Sequence, residues 1–89
     1  MTRKDRIAAA LTVALRPIRL DIADESDRHA GHVGARPGGE THYRINIVSP
    51  AFAGKGRVER HRMINALLAA EFASGMHALA IVAAAPDPV

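Results

Sequence analysis

The stretch that decides the fold is residues 41–56, THYRINIVSPAFAGKG. From Thr41 to Val48 apolar residues alternate with polar ones, which predicts a second strand with one buried face that carries Tyr43, Ile45 and Ile47. Ser49 is a helix-capping residue type, and Pro50 is favoured in the first turn of a helix. The segment Gly54–Gly56 then predicts a corner. The pattern therefore changes from strand to a short helical turn within this stretch.

Downstream of the corner, a longer helix is predicted over residues 57–74, with Gly75 as its stop signal. Four apolar residues form its predicted buried stripe: Ile64, Leu67, Leu68 and Phe72. Residues 76–84 are apolar at almost every position and predict a third strand. Because about 30 residues including a helix join the second and third strands, we expect a crossover between parallel strands.

Upstream, residues 3–15 show helical periodicity, with Thr2 as a candidate N-cap and Pro17 ending the helix. Residues 18–24 alternate again and predict a first strand, antiparallel to the second, whose buried face carries Ile18, Leu20 and Ile22. The glycine-rich segment 25–40 is a predicted long loop. The sequence therefore predicts an α+β domain with a three-stranded mixed sheet and helices on one face.

Composition narrows the possible functions. The chain has 89 residues and no cysteine, and its formal net charge is +3. This length predicts one domain over residues 1–89, and the missing thiols exclude disulfides and any iron–sulfur cluster held by this chain alone. No catalytic triad or phosphate-binding glycine motif is present, so we do not expect an enzyme. No apolar stretch is long enough for a membrane span, which favours a cytoplasmic protein without an anchor.

Five segments in order carry a resemblance to a known family: Asp24-Glu25-Ser26 with His29, Gly39-Glu40-Thr41-His42-Tyr43, Val48-Ser49 with Phe52-Ala53-Gly54-Lys55, Arg60-His61-Arg62-Met63-Ile64-Asn65, and His77-Ala78-Leu79-Ala80-Ile81. In these segments the chain resembles the BolA-like proteins over nearly its whole length. The resemblance implies the αββααβ order of a type II KH-like fold, in agreement with the order predicted from the residue patterns. It also implies partnership with a monothiol glutaredoxin and glutathione, around a shared [2Fe–2S] cluster.

The same resemblance identifies cluster ligands among the five histidines of the chain. The family's two histidine positions correspond to His77 and to His29, and His32 is an alternative loop ligand three residues further on. Each has a simpler interpretation, because His29 and His32 could be solvated loop residues and His77 a histidine at the edge of the core. We interpret His42 and His61 as structural residues.

A basic run at the glycine corner suggests a second function. It contains Lys55, Arg57, Arg60 and Arg62, and a corner between two helices is the layout of a helix-turn-helix that binds the DNA backbone. The resemblance likewise implies a DNA-binding regulatory role in bacteria. The alternative is a solvated basic face, and no G-x-x-G clamp for RNA is present. Duplex DNA therefore stays open as a partner. A homodimer with a second copy of the chain also stays open.

Overall fold

A computed structural model of the protein describes residues 1–26 and 41–87. Its regular elements are helix α1 (Arg3–Leu15), strand β1 (Arg19–Asp24), strand β2 (His42–Val48), a 3-10 turn (Pro50–Phe52), helix α2 (Arg57–Leu67), helix α3 (Ala69–Ala73) and strand β3 (Ala78–Ala84). This order confirms the predicted α+β class and the predicted sequence of elements. His29 and His32, which were predicted as alternative loop ligands, lie outside the described residues.

The sheet has the order β1-β2-β3, with β2 in the centre. Strand β1 pairs with β2 antiparallel, so that Ile22 lies opposite Ile45. Strand β3 pairs with β2 in parallel, with Ile81 opposite Ile45 and Ala78 opposite His42. The crossover predicted from the sequence is therefore confirmed, and the amino-terminal ends of β2 and β3 lie at the same edge of the sheet.

The core lies between the helices and one face of the sheet. Its buried side chains form one cluster: Ile7, Leu11, Leu15, Tyr43, Ile45, Ile47, Phe52, Ile64, Leu68 and Met76. On the other face of the sheet, Asp21, Asn46 and Val82 are exposed. The period-2 pattern of β2 thus sorts its side chains between the core and the open face.

Helix α1 and the 3-10 turn both begin at the capping residues that the sequence predicts. The side chain of Thr2 accepts a hydrogen bond from the backbone N–H of Asp5, and Asp5 accepts one from the backbone of Thr2, which completes a capping box. These hydrogen bonds hold the pKa of Asp5 below its ordinary value. At the next helical segment the Ser49 side chain accepts from Ala51 N–H, and Pro50 follows in the first turn.

The predicted single helix over residues 57–74 was wrong, because the chain forms two helices that meet at Leu68. The backbone of Leu68 leaves helical geometry, with φ −105° and ψ 15°. This break changes which side chains of the last turn face the core. Leu67 and Phe72, predicted as buried, are 38% and 36% exposed, whereas Glu71 is only 9% exposed. Glu71 takes the inner position because α1 offers it two arginines.

Two smaller predictions also needed correction. Ile18 was predicted on the buried face of the first strand, but it precedes β1 and is 67% exposed. The third strand was predicted from residue 76, but it begins at Ala78, and Met76 is instead buried in the core. Ile18 is exposed although its backbone N–H donates to the carbonyl oxygen of Val48 in β2, so the alternation of the first strand does not extend to its side chain.

Candidate functional site

The edge of the sheet where β2 and β3 begin is held together by one buried serine. The Ser26 hydroxyl oxygen accepts a hydrogen bond from Thr41 N–H at 2.9 Å and another from His42 N–H at 3.1 Å. Ser26 is 6% exposed and Thr41 1% exposed. These residues flank segment 27–40, so Ser26 fixes its two ends to each other.

His77, predicted as a ligand, lies at this same edge, one residue before β3. Its backbone N–H donates to the carbonyl oxygen of Thr41 at 2.8 Å, while its side chain is exposed. The alternative interpretation of His77 as a core-edge residue therefore describes its backbone but not its ring. The exposed imidazole therefore belongs to a residue whose backbone is anchored to Thr41.

The structure also places His42 beside His77, a contact that was not predicted from the sequence. Their ring centroids are 6.1 Å apart and the ring planes differ by 13°, so the two imidazoles are stacked. The Nδ1 atom of His42 lies 2.8 Å from the Thr41 hydroxyl oxygen. A signal for this contact was present, because parallel pairing of two strands that begin at residues 42 and 78 brings positions 42 and 77 together.

The donor atoms at this edge set limits on any metal centre. Within residues 1–26 and 41–87 no group of three or more metal-ligating side chains occurs. The chain has five histidines and no cysteine, so it offers imidazole nitrogen but no thiolate. Such a donor set fits half of a [2Fe–2S] centre, since two imidazoles can replace two thiolates on one of the irons. The other iron needs sulfur ligands from another molecule.

The basic run lies at the opposite end of β3, and its four cations differ in their surroundings. Lys55, Arg57 and Arg62 are exposed. Arg60 is half-buried: its Nε donates to the carbonyl oxygen of Lys55 at 2.8 Å, and its Nη1 donates to the carbonyl oxygen of Ala83 at 3.0 Å. Arg60 therefore attaches α2 to the outer edge of β3, and three side chains point their charge to solvent.

A groove of about 480 Å³ runs between the start of α2 and β3. It is lined by three of the four cations of the basic run, by two of their neighbours and by the end of β3: Lys55, Gly56, Arg57, Arg60, His61, Ile81, Val82 and Ala83. His61 is half-buried here. The groove lies along residues 81–83 of β3, which are four to six residues from His77, or about 13–20 Å of extended strand. The ring of His61 thus belongs to a different part of the surface.

Comparison with known proteins identifies the family. The chain belongs to the BolA-like family, because the family model described as BolA-like protein matches residues 11–88. A solved structure of the BolA domain of SufE1 from Arabidopsis thaliana superimposes with a TM-score of 0.88, at 48% identity over 97% of this chain and 94% of that chain. The predicted three-stranded mixed sheet with helices is therefore the observed architecture, and it matches that of a solved BolA structure.

Two further relatives extend the comparison. A Sinorhizobium protein described as an uncharacterized protein in the cobS 5′ region is 48% identical over 97% of this chain and 94% of its own length. The Escherichia coli strain K12 protein named DNA-binding transcriptional regulator BolA is 38% identical over 91% of this chain and 73% of its own length.

Within the described part of the chain, no helix is both long and apolar enough to cross a bilayer.

Proposed function

We propose that this protein is a BolA-like adaptor that pairs with a monothiol glutaredoxin and shares a [2Fe–2S] cluster with it. The observation that carries the proposal is the exposed ring of His77, anchored through its backbone to Thr41 at the edge where segment 27–40 begins and ends. The absence of cysteine supports an arrangement in which a partner supplies the thiolates.

In this proposal the chain's own residues hold and orient imidazole nitrogen. His77 supplies one ligand, and His29 or His32 from the glycine-rich segment supplies the second. The cluster contributes one-electron redox chemistry, and imidazole in place of thiolate raises its reduction potential. Ser26 and Thr41 keep the two ends of segment 27–40 together beside His77, so that ligands from separate parts of the chain approach one iron.

Anaerobic mixing with a monothiol glutaredoxin, glutathione, iron and sulfide tests the proposal, with visible circular dichroism as the readout. We expect a cluster in the mixture and none on the chain alone. His77→Ala should change the spectrum strongly, whereas His61→Ala, at the other end of β3, should not. A stable cluster on the purified chain without added thiol, or equal effects of the two variants when both are folded, contradicts the proposal.

The choice between the two loop histidines needs its own experiment. Single variants His29→Ala and His32→Ala should each leave a cluster, because the remaining histidine can replace the missing one at the same coordination position. The double variant should lose the cluster much faster, with a non-additive cost. Cluster lifetimes from absorbance decay give the comparison. A double variant as long-lived as the unmodified protein removes this segment from the ligand set.

A second candidate function is binding of duplex DNA by the basic corner. Two observations favour it: the exposed side chains of Lys55, Arg57 and Arg62, and the name of the Escherichia coli relative. Because Arg60 is hydrogen-bonded to two carbonyls within the fold, we expect at most three phosphate contacts from this run. Binding measured between 50 and 200 mM salt should weaken steeply, with a log–log slope of about 0.9 for each contact. Affinity independent of salt refutes this candidate.

A further inference from the structure

The stacked pair His42 and His77 combines one ring that is firmly held with one that is not. His42 opens β2 and is half-buried, and its backbone N–H donates to the buried Ser26 hydroxyl. Its ring is fixed in addition through Nδ1 to the hydroxyl of Thr41, a residue only 1% exposed. Ser26 therefore fixes the backbone of His42, and Thr41 fixes the orientation of its ring.

The His77 ring has much less support. It is exposed, and it lies nearly parallel to the ring of His42 at a centroid separation of 6.1 Å. An exposed side chain loses rotamer freedom when it becomes a ligand, and this loss weakens binding unless another contact has already restricted the ring. The face of His42 provides such a restriction, because the planes differ by only 13°.

We infer that His42 is a positioning residue for His77: its ring, held by the Thr41 hydroxyl on a backbone fixed by Ser26, keeps the His77 imidazole in the orientation in which it is presented to the partner. The inference rests on the proposed function, in which His77 is a ligand. It replaces the view of His42 as a purely structural strand residue. It also joins three elements, since Ser26 follows β1, His42 begins β2 and His77 precedes β3.

The His42 ring acts on His77 through its aromatic face, and its Nδ1 atom serves only to hold that face in place through the hydrogen bond with Thr41. His42→Phe keeps a flat ring of similar width against His77, whereas His42→Ala removes it. The phenylalanine variant therefore separates positioning from ligation by His42 itself. His61→Ala serves as the control, because it removes an imidazole from the opposite end of β3.

The first measurement uses the full chain alone, by NMR of the histidine ring carbons and protons. In His42→Ala we expect the ring-current shift of His77 to disappear and its ring to become more mobile on the nanosecond timescale. His42→Phe keeps a ring but loses the hydrogen bond with Thr41, so it should keep the His77 ring more restricted than His42→Ala does. His61→Ala should leave the His77 ring unchanged. Backbone amide spectra of each variant establish that the fold is intact.

The second measurement uses the mixture with glutaredoxin, glutathione, iron and sulfide. We expect His42→Ala to shorten the cluster lifetime about 10-fold, within the roughly 10–100-fold that loss of a group orienting a metal ligand costs. His42→Phe should restore most of the lifetime and the circular dichroism spectrum. If His42→Phe is as labile as His42→Ala although its His77 ring stays restricted, His42 acts through a nitrogen and the inference is wrong.

The two measurements also separate failure of this inference from failure of the proposed function. If the unmodified mixture forms no cluster, the proposed function fails, while the NMR comparison still reports whether His42 restrains His77. If the His77 ring is equally mobile in the unmodified chain and in His42→Ala, the stack does not restrain it, and the inference is overturned even when a cluster forms.

Discussion

Replacing Glu71 by alanine should lower the free energy of unfolding by about 3–5 kcal/mol, because it leaves a buried guanidinium without its carboxylate. Glu71 Oε1 lies 2.9 Å from Nη1 of Arg3 and 3.0 Å from Nη2 of Arg6. The side chains of Arg3 and Glu71 are only 9% and 12% exposed. The pair joins α1 to α3 across 68 of the 89 residues of the chain.

The expected loss of stability depends on whether the Arg3 guanidinium stays buried after its carboxylate is removed. Besides Glu71, Arg3 Nη1 contacts the Ser74 hydroxyl at 2.7 Å and the Glu71 carbonyl at 2.9 Å, so the guanidinium stays in place when the carboxylate is removed. A domain of this size has a total stability of about 4–13 kcal/mol. A loss of 3 kcal/mol should lower Tm by roughly 12–24 °C.

Urea unfolding followed by circular dichroism measures the change, and the fold provides a matched control. Arg19 and Asp21 form an ion pair of the same length, 2.9 Å, but their side chains are 72% and 59% exposed. Asp21→Ala should therefore change stability by less than about 1 kcal/mol. If Glu71→Ala does not fold, Glu71→Gln should give a smaller measurable loss. Equal losses for Glu71 and Asp21 variants would refute the argument from burial.

The same carboxylate predicts how stability depends on pH. Hydrogen bonds from Arg6 are the largest cause, and the charges of Arg6 and Arg3 add to them, so the pKa of Glu71 lies below its ordinary value of 4.5 despite desolvation. A depressed folded-state pKa gives stability that is present above pH 4.5 and lost as pH falls through the folded value. Urea unfolding across this range should show a steeper acid loss in the unmodified protein than in Glu71→Gln.

Three further predictions concern substitutions of single residues. Ser26→Ala should cost about 1–3 kcal/mol in urea unfolding, because two backbone N–H groups lose their acceptor; an unchanged midpoint contradicts the role of Ser26. Gly54→Ala should cost about 1 kcal/mol because φ is +76° there, whereas Gly56→Ala, with φ −74° and equally open space, should stay within about 0.5 kcal/mol. Arg60→Gln should lower Tm by breaking two hydrogen bonds to carbonyls while leaving the salt dependence of DNA binding unchanged, and Arg57→Gln should do the reverse; titrations of both variants against salt decide between them.

The sequence by itself determined the elements and their order. Period-2 alternation around Ile45, the cap at Thr2 and the Ser49–Pro50 turn are local signals, and each produced the element that it predicted. Pairing of strands followed from connection lengths, because a connection that contains a helix favours parallel neighbours. Family membership was also accessible, since it rests on short segments in a fixed order.

Only the tertiary structure decided which side chains meet across those elements. Glu71 is buried because α3 packs where α1 presents Arg3, a residue 68 positions earlier. Arg60 turns inward because the outer edge of β3 offers the carbonyl of Ala83. His42 and His77 stack because β2 and β3 begin at the same edge. Periodicity describes the faces of one element, whereas these contacts depend on the packing of two elements, so the sequence pattern carried no direct record of them.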